Sequence, residues 1–228
     1  MLTPYTHSSS QPLCVVIMAC SQVAIPLFPL NVVLFPSGLL PLNIFEDRYL
    51  LMIQRCLDNN LDFGIALIKS GVEVGGPAEP HLVGAIARII DSQTTDDGRI
   101  NIVVTGRDRF LIDKITQESP YLEGTASILE EDSTEMLNEA DFSEMRRATA
   151  EQIRLLHGLR GGWVREPEIP ADPSALSWLA CSLIQADNHE KQALLEESST
   201  TLRLRALLPI LDRNAVVMKK RIAKRFGQ

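Results

Sequence analysis

Over roughly its first 130 residues the chain carries short apolar runs separated by turn formers. Beyond that point its apolar positions fall at helical spacing. In the first part, Phe63-Gly64-Ile65-Ala66-Leu67-Ile68 is an apolar run of strand length, and 82–90 is rich in β-branched residues. Asp96-Asp97-Gly98-Arg99 is a turn signal, and Ile100-Asn101-Ile102-Val103-Val104 reads as the returning strand of a hairpin. Two more strands are expected at 109–115 and 121–129, parted by Ser119-Pro120. One helix interrupts this half over 45–57, where Phe45, Tyr49, Met52, Ile53, Cys56 and Leu57 share a face. Glu46 and Asp47 suit its first turn, and Asn59-Asn60 suits a left-handed stop. Many short strands with a single helix predict a small barrel-like β unit, not a doubly wound sheet.

The second part predicts helices. An acidic stretch from Glu130 to Glu144 leads into a helix that ends near His157, where Gly161-Gly162 breaks it. A stiff, proline-rich loop over 166–173 precedes a helix at 174–186 with Leu176, Leu179, Ala180, Leu183 and Ile184 on one face. A short helix at 191–197 follows, then a last one from Thr200 toward Arg225, which Pro209 either kinks or divides. The class is therefore α+β, with the β unit first and a helical bundle second.

Composition is that of an ordinary globular chain, 45% apolar and 22% charged over 228 residues. The net charge of −7 argues against a general nucleic-acid binder, which would show a basic footprint. Cys14, Cys20, Cys56 and Cys181 match neither a metal knuckle nor a disulfide scaffold, so reduced thiols in a cytoplasmic protein are expected. No apolar run is long enough to span a bilayer. The stretch 12–20, PLCVVIMAC, imitates the apolar part of a signal peptide, and Ile17-Met18-Ala19-Cys20 a lipoprotein cleavage site. Neither has the basic start such signals need. Residues 1–22 are read as a disordered or spurious extension, with translation beginning at Met1 or Met18.

Catalytic signatures are sought without success. Gly-Lys occurs nowhere, so the phosphate-cradling loop of an ATPase is missing. No G-x-G-x-x-G follows a strand, and no G-x-S-x-G elbow is present. His7, His81, His157 and His189 are scattered, so no metal and no cofactor are expected. Acidic pairs such as Glu130-Glu131 and Asp96-Asp97 are read as solvated linker and turn residues. The cations Arg213, Lys219, Lys220, Arg221, Lys224 and Arg225 are read as favourable charges near a helix C-terminus rather than an anion-binding patch.

The segment Ile25-Pro26-Leu27-Phe28-Pro29-Leu30-Asn31-Val32-Val33-Leu34-Phe35-Pro36-Ser37-Gly38 carries more information. It runs on through Leu40-Pro41-Leu42-Asn43-Ile44-Phe45-Glu46-Asp47-Arg48-Tyr49. This strongly resembles the opening of the amino-terminal substrate-recognition domain of Lon proteases. Val83-Gly84-Ala85-Ile86-Ala87-Arg88-Ile89, Asp97-Gly98-Arg99 and Gly106-x-x-Arg109-Phe110-x-Ile112 resemble later strands of that family. Leu176-x-x-Leu179-Ala180, Lys191-Gln192-x-Leu194-Leu195-Glu196 and Arg203-Leu204-x-x-Leu207 resemble its helices. The likeness covers roughly 23–211. Two departures are Ser37, where the family often has Gly, and Asn43, where it often has His.

The resemblance implies a PUA-like β pseudobarrel with one inserted helix at 23–130 and an α-helical subdomain at 131–228. It also implies a stand-alone, non-catalytic binding protein without the ATPase or the Ser-Lys peptidase. The partner it implies is an unfolded polypeptide or a specific protein, in protein quality control or as a proteolysis adaptor, alone or beside a full-length Lon. It leaves room for a homodimer. A membrane partner is not expected. An RNA-binding role, open to PUA-like folds, is the alternative, against which the acidic balance speaks.

Pro26, Pro29, Pro36 and Pro41 cannot donate ladder bonds, which predicts edges and turns for this segment. The apolar residues between them are candidates for an open groove beside an unpaired strand edge. Phe28, Leu30, Phe35 and Tyr49 are the candidate peptide-binding residues, with core filling as the plainer role. Pro29, Pro36, Glu46, Arg48 and Arg109 are candidate structural residues of the motif, with Glu46 and Arg48 as an ion pair at a helix start.

Overall fold

Six strands and five helices follow one another in the computed structural model, which describes residues 22–132 and 137–226. The signal-like stretch, Cys14, Cys20 and the alternative start at Met18 lie outside the described residues. In chain order the elements are β1 (Gln22–Leu30), β2 (Leu39–Ile44), α1 (Asp47–Asn59), β3 (Phe63–Gly71), β4 (Ala78–Thr94), β5 (Ile100–Gln117) and β6 (Leu122–Leu129). Helices α2 (Glu139–Leu159), α3 (Pro173–Leu183), α4 (Asn188–Glu196) and α5 (Thr200–Phe226) follow. The fold is α+β.

The strands run in the order β2-β5-β4-β3-β1-β6, and β6 pairs back onto β5. Five strands therefore close into a barrel, and β2 extends the sheet beyond the ring. All pairs are antiparallel except β1 with β3, which the α1 crossover makes parallel. Register shifts in the β3–β4, β4–β5 and β5–β6 ladders supply the bends that closure needs. Phe110 fills the ring. A Cβ on Gly84 would lie 2.6 Å from its ring and one on Gly64 2.7 Å, so neither position admits a side chain without a shift of this core ring.

Two expectations are corrected. The strands at 100–104 and 109–115 are one continuous β5, because the polar Thr105-Gly106-Arg107-Asp108 between them stays within the ladder, with Gly106 opposite Ala87. Nor does β1 lie at an edge. It sits between β3 and β6, and the chain tolerates its prolines because the two ladders overlap only at Leu27. Pro26 faces β6 alone and Pro29 faces β3 alone. Pro41 does lie in the edge strand β2.

Helix starts follow ordinary capping chemistry. The side chains of Asn138, Asp172 and Asp187 accept backbone N–H bonds at the starts of α2, α3 and α4. Asn60 closes α1 in the left-handed conformation, φ 50°. The last helix is continuous through Pro209. The helical half joins the barrel through a shared apolar cluster. Val33, Phe35 and Leu67 of the β half pack with Met145, Leu176, Trp178, Leu194, Leu204 and Leu207.

Candidate functional site

A cleft of about 240 Å³ opens beside β2. Phe28, Leu30 and Tyr49 line its depth, and Leu42, Ile44, Phe45 and Val74 are among the residues around it. The Phe28 and Tyr49 rings lie 4.1 Å apart, and the Arg48 guanidinium sits 4.5 Å over the Tyr49 ring. Tyr49 thus contacts both, and burial, foremost, pushes its hydroxyl pKa up. Phe28 and Tyr49 are each 5% exposed, whereas Phe45 is 50% and Val74 56% exposed. Buried rings below and exposed apolar side chains above make a recess already open to solvent.

The loop at 72–77 forms one wall and is pinned at three points. Gly75 N–H donates to Glu46 Oε2 at 3.1 Å, Arg48 Nη1 to the Gly76 carbonyl at 3.1 Å, and Asn31 Nδ2 to Glu73 Oε2 at 2.9 Å. Glu46 and Arg48 are themselves an ion pair at 3.0 Å. This pair therefore ties the start of α1 to the loop that walls the cleft. Strand β2 pairs only with β5, which leaves its outer backbone groups without a ladder partner among the described strands.

Phe35 goes elsewhere. It is buried with its ring centroid 6.2 Å from that of Trp178, in the cluster between barrel and helices. The chain reverses just beyond it. Ser37 has φ 61°, a left-handed conformation that glycine adopts without penalty, and its N–H donates to the Gly106 carbonyl at 2.8 Å. Gly106 N–H in turn donates to the Gly38 carbonyl at 2.9 Å. A Cβ on Gly106 would lie 2.1 Å from the Phe35 carbonyl oxygen, so the turn and β5 meet backbone to backbone. Pro36 starts this turn. Of the four apolar candidates, the structure brings three to the cleft and separates Phe35.

Arg109 is 1% exposed and forms a second assembly with Arg203, which is 0% exposed. Glu131 accepts from both guanidiniums, from Arg109 Nε at 3.1 Å and from Arg203 Nη2. Arg109 also donates to the carbonyls of Glu130, Leu195 and Glu197, and Arg203 to Ser177 Oγ and the Glu197 carbonyl. The Arg203 guanidinium lies 3.6 Å over the Trp178 ring. Burial, above all, lowers the Arg109 pKa, and Glu131 opposes that shift. The expectation of Glu131 as a solvated linker residue is corrected: it is the shared counter-charge of two buried arginines.

The cations of α5 engage the protein. Arg213 pairs with Glu190, Lys219 with Glu151, and Arg225 Nη1 donates to the Leu159 carbonyl at 2.7 Å. Cys56 and Cys181 are free and buried, and burial pushes their thiols up to about 11 and about 12 respectively. Among the described residues no cluster of His, Cys, Asp or Glu is arranged to hold a metal, and no helix is long and apolar enough to cross a membrane.

Phe45, Glu73 and Val74 were not among the sequence candidates for the cleft. The signal for the last two was Val72-x-Val74 beside Gly75-Gly76, branched apolar residues in a turn with no strand to bury them.

These features define a class: α+β proteins in which a small closed barrel carries a helical bundle and presents an apolar recess at a sheet edge. The chain belongs to the ATP-dependent protease La (LON) substrate-binding domain family, whose model matches residues 24–213. It is similar to the Lon protease 2 of Myxococcus xanthus, 28% identical over 200 residues, which are 86% of this chain and 24% of that protein. It is also similar to the Lon protease of Parabacteroides distasonis, 30% identical over 202 residues, 83% of this chain and 24% of that one. The chain spans about a quarter of the length of these relatives. Among solved structures, a Lon N-terminal domain protein from Xanthomonas campestris superposes with a TM-score of 0.64 at 26% identity, covering 82% of this chain and 98% of that one. The N-terminal domain of a Mycobacterium avium complex Lon protease shares the fold, with a TM-score of 0.55 at 21% identity over 83% of this chain and 98% of that one.

Proposed function

We propose that this chain is a non-catalytic polypeptide-binding module that captures unfolded or extended protein segments in the cleft beside β2. The observation that carries this reading is the cleft itself. Exposed Phe45 and Val74 stand over a buried floor of Phe28 and Tyr49, next to a strand edge that has no ladder partner among the described strands. An apolar recess binds side chains without a strict sequence requirement, and an open edge binds backbone. Membership of a substrate-binding family supports a protein partner.

The test is fluorescence anisotropy of a labelled unfolded polypeptide titrated with the protein, against a folded control and an RNA of similar length. Selective binding of the unfolded chain is expected. Val74→Asp and Phe45→Ser, both at exposed positions, are expected to weaken it about tenfold or more with little change in melting temperature. Unchanged binding in both variants would overturn the assignment of the cleft. Binding of RNA alone would overturn the polypeptide reading.

A further inference from the structure

The charged groups lining the cleft are both carboxylates, Glu46 and Glu73. Arg48, the cation paired with Glu46, is committed to that carboxylate, to the Gly76 carbonyl and to the face of Tyr49, and its Nη2 is buried with no hydrogen bond beyond the ion-pair contact. Glu46 is committed too, to Arg48 and to the Gly75 N–H. Among the described residues Glu73 has one neutral donor, Asn31, on one of its two oxygens. A carboxylate with four lone-pair directions and one uncharged partner keeps capacity for a cation. The recess therefore has an apolar floor, an acidic rim and a strand edge with no ladder partner among the described strands.

We propose, resting on the cleft reading above, that the cleft selects extended segments in which a large apolar residue is followed or preceded at the second position by Lys or Arg. Such a segment adds as a strand to the outer edge of β2. Side chains two apart in a strand point to the same face, so the apolar one enters over Phe28 and Tyr49 while its basic neighbour reaches Glu73. An acidic residue at that position would face Glu46 and Glu73 and be rejected by like charge, so the rim discriminates by exclusion as well as by attraction. The loop at 72–77 carries Glu73 and Val74 together, so the charge reader and one apolar wall of the recess move as one piece.

The experiment compares two labelled peptides of identical length and apolar content, one with Lys and one with Glu two positions from a central Phe. Wild-type protein, Glu73→Gln and Glu73→Lys are titrated with each at low and at moderate salt. Glu73→Gln keeps the acceptor for Asn31, so the loop stays pinned. The Lys peptide is expected to bind wild-type roughly three- to tenfold more tightly, an advantage that salt reduces. Glu73→Gln is expected to abolish the difference and Glu73→Lys to reverse it. A second series N-methylates successive peptide amides. Loss of binding at alternate positions only is expected of strand addition, because only every second amide faces the partner edge. Equal binding of both peptides, or a preference that persists in Glu73→Lys, would overturn the proposal while leaving apolar capture intact. Failure of both peptides together with unchanged unfolded-chain binding in Val74→Asp would instead remove the cleft as the site.

Discussion

The Glu131 assembly and the cleft beside β2 are both built around an arginine over an aromatic ring, yet they are opposites. At the first, Arg109 and Arg203 spend nearly all their donors on one carboxylate, backbone carbonyls and two hydroxyls, across Trp178, with under 2% exposure for either arginine. At the second, Arg48 caps a ring stacked on Phe28, and side chains half open to water stand above it. Over-determined polar contacts fix one geometry and leave nothing for a ligand. A recess with apolar walls, open to solvent, leaves surface that a ligand can cover. The difference separates the residues that hold the helical bundle to the barrel from those available for binding.

The largest expected effect breaks the first region. Arg203→Leu removes the closer of the two guanidiniums over Trp178 and four hydrogen bonds of the assembly, and is expected to cost about 3–5 kcal/mol, read by denaturant unfolding. Peptide affinity measured while the variant is still folded should not change. A loss in proportion to stability would show that the two regions are not separable. Phe35→Ala sharpens the same point, since Phe35 lies against Trp178 and not in the cleft. A cost of about 3 kcal/mol with intact peptide binding is expected.

The buried thiols give a pH signature. Their folded pKa values, about 11 for Cys56 and about 12 for Cys181, lie above the ordinary value. The folded state therefore holds these protons after the unfolded chain has released them. Their contribution is fully present below about pH 9 and is lost as pH rises toward the folded values, by at most about 1.4 kcal/mol per thiol per unit. Unfolding at pH 8, 9 and 10 should show the fall, and it should shrink in Cys181→Ala. Native protein at pH 8 should resist thiol labelling at both positions.

The smallest effect is a gain. Ser37→Gly relieves the left-handed residue at the turn between Phe35 and β2 and is expected to stabilise by roughly 0.5–1 kcal/mol, visible as a small rise in melting temperature.

The strands, the inserted helix and the helical bundle were legible because each rests on local periodicity and turn chemistry. Asn60 is an example, where a local conformational preference sets the end of α1. What failed was whatever depends on distant partners. Glu131 reads as a linker acid because Arg203, its counter-charge, lies 72 residues away in sequence. The polar run at 105–108 reads as a loop because Arg107 finds its counter-charge in Asp62, 45 residues off. Phe35 reads as a companion of Phe28 by proximity in the chain, yet the reversal at Ser37 sends it to another cluster. The cleft was half legible: its floor lies within one motif, while its wall at 72–77 comes from a loop with no periodicity.

The position of β1 between β3 and β6 has a consequence during synthesis. Gln22 is among the first described residues to leave the ribosome, and its ladder partner is Ser127. At roughly 5–20 residues per second, about a hundred residues of delay leave that side of β1 unsealed for some 5–20 s. Through that interval Ile25, Leu27 and the backbone of β1 present an apolar strand to whatever is nearby. On the proposed function, a chain that shelters other proteins' extended segments would itself begin as one.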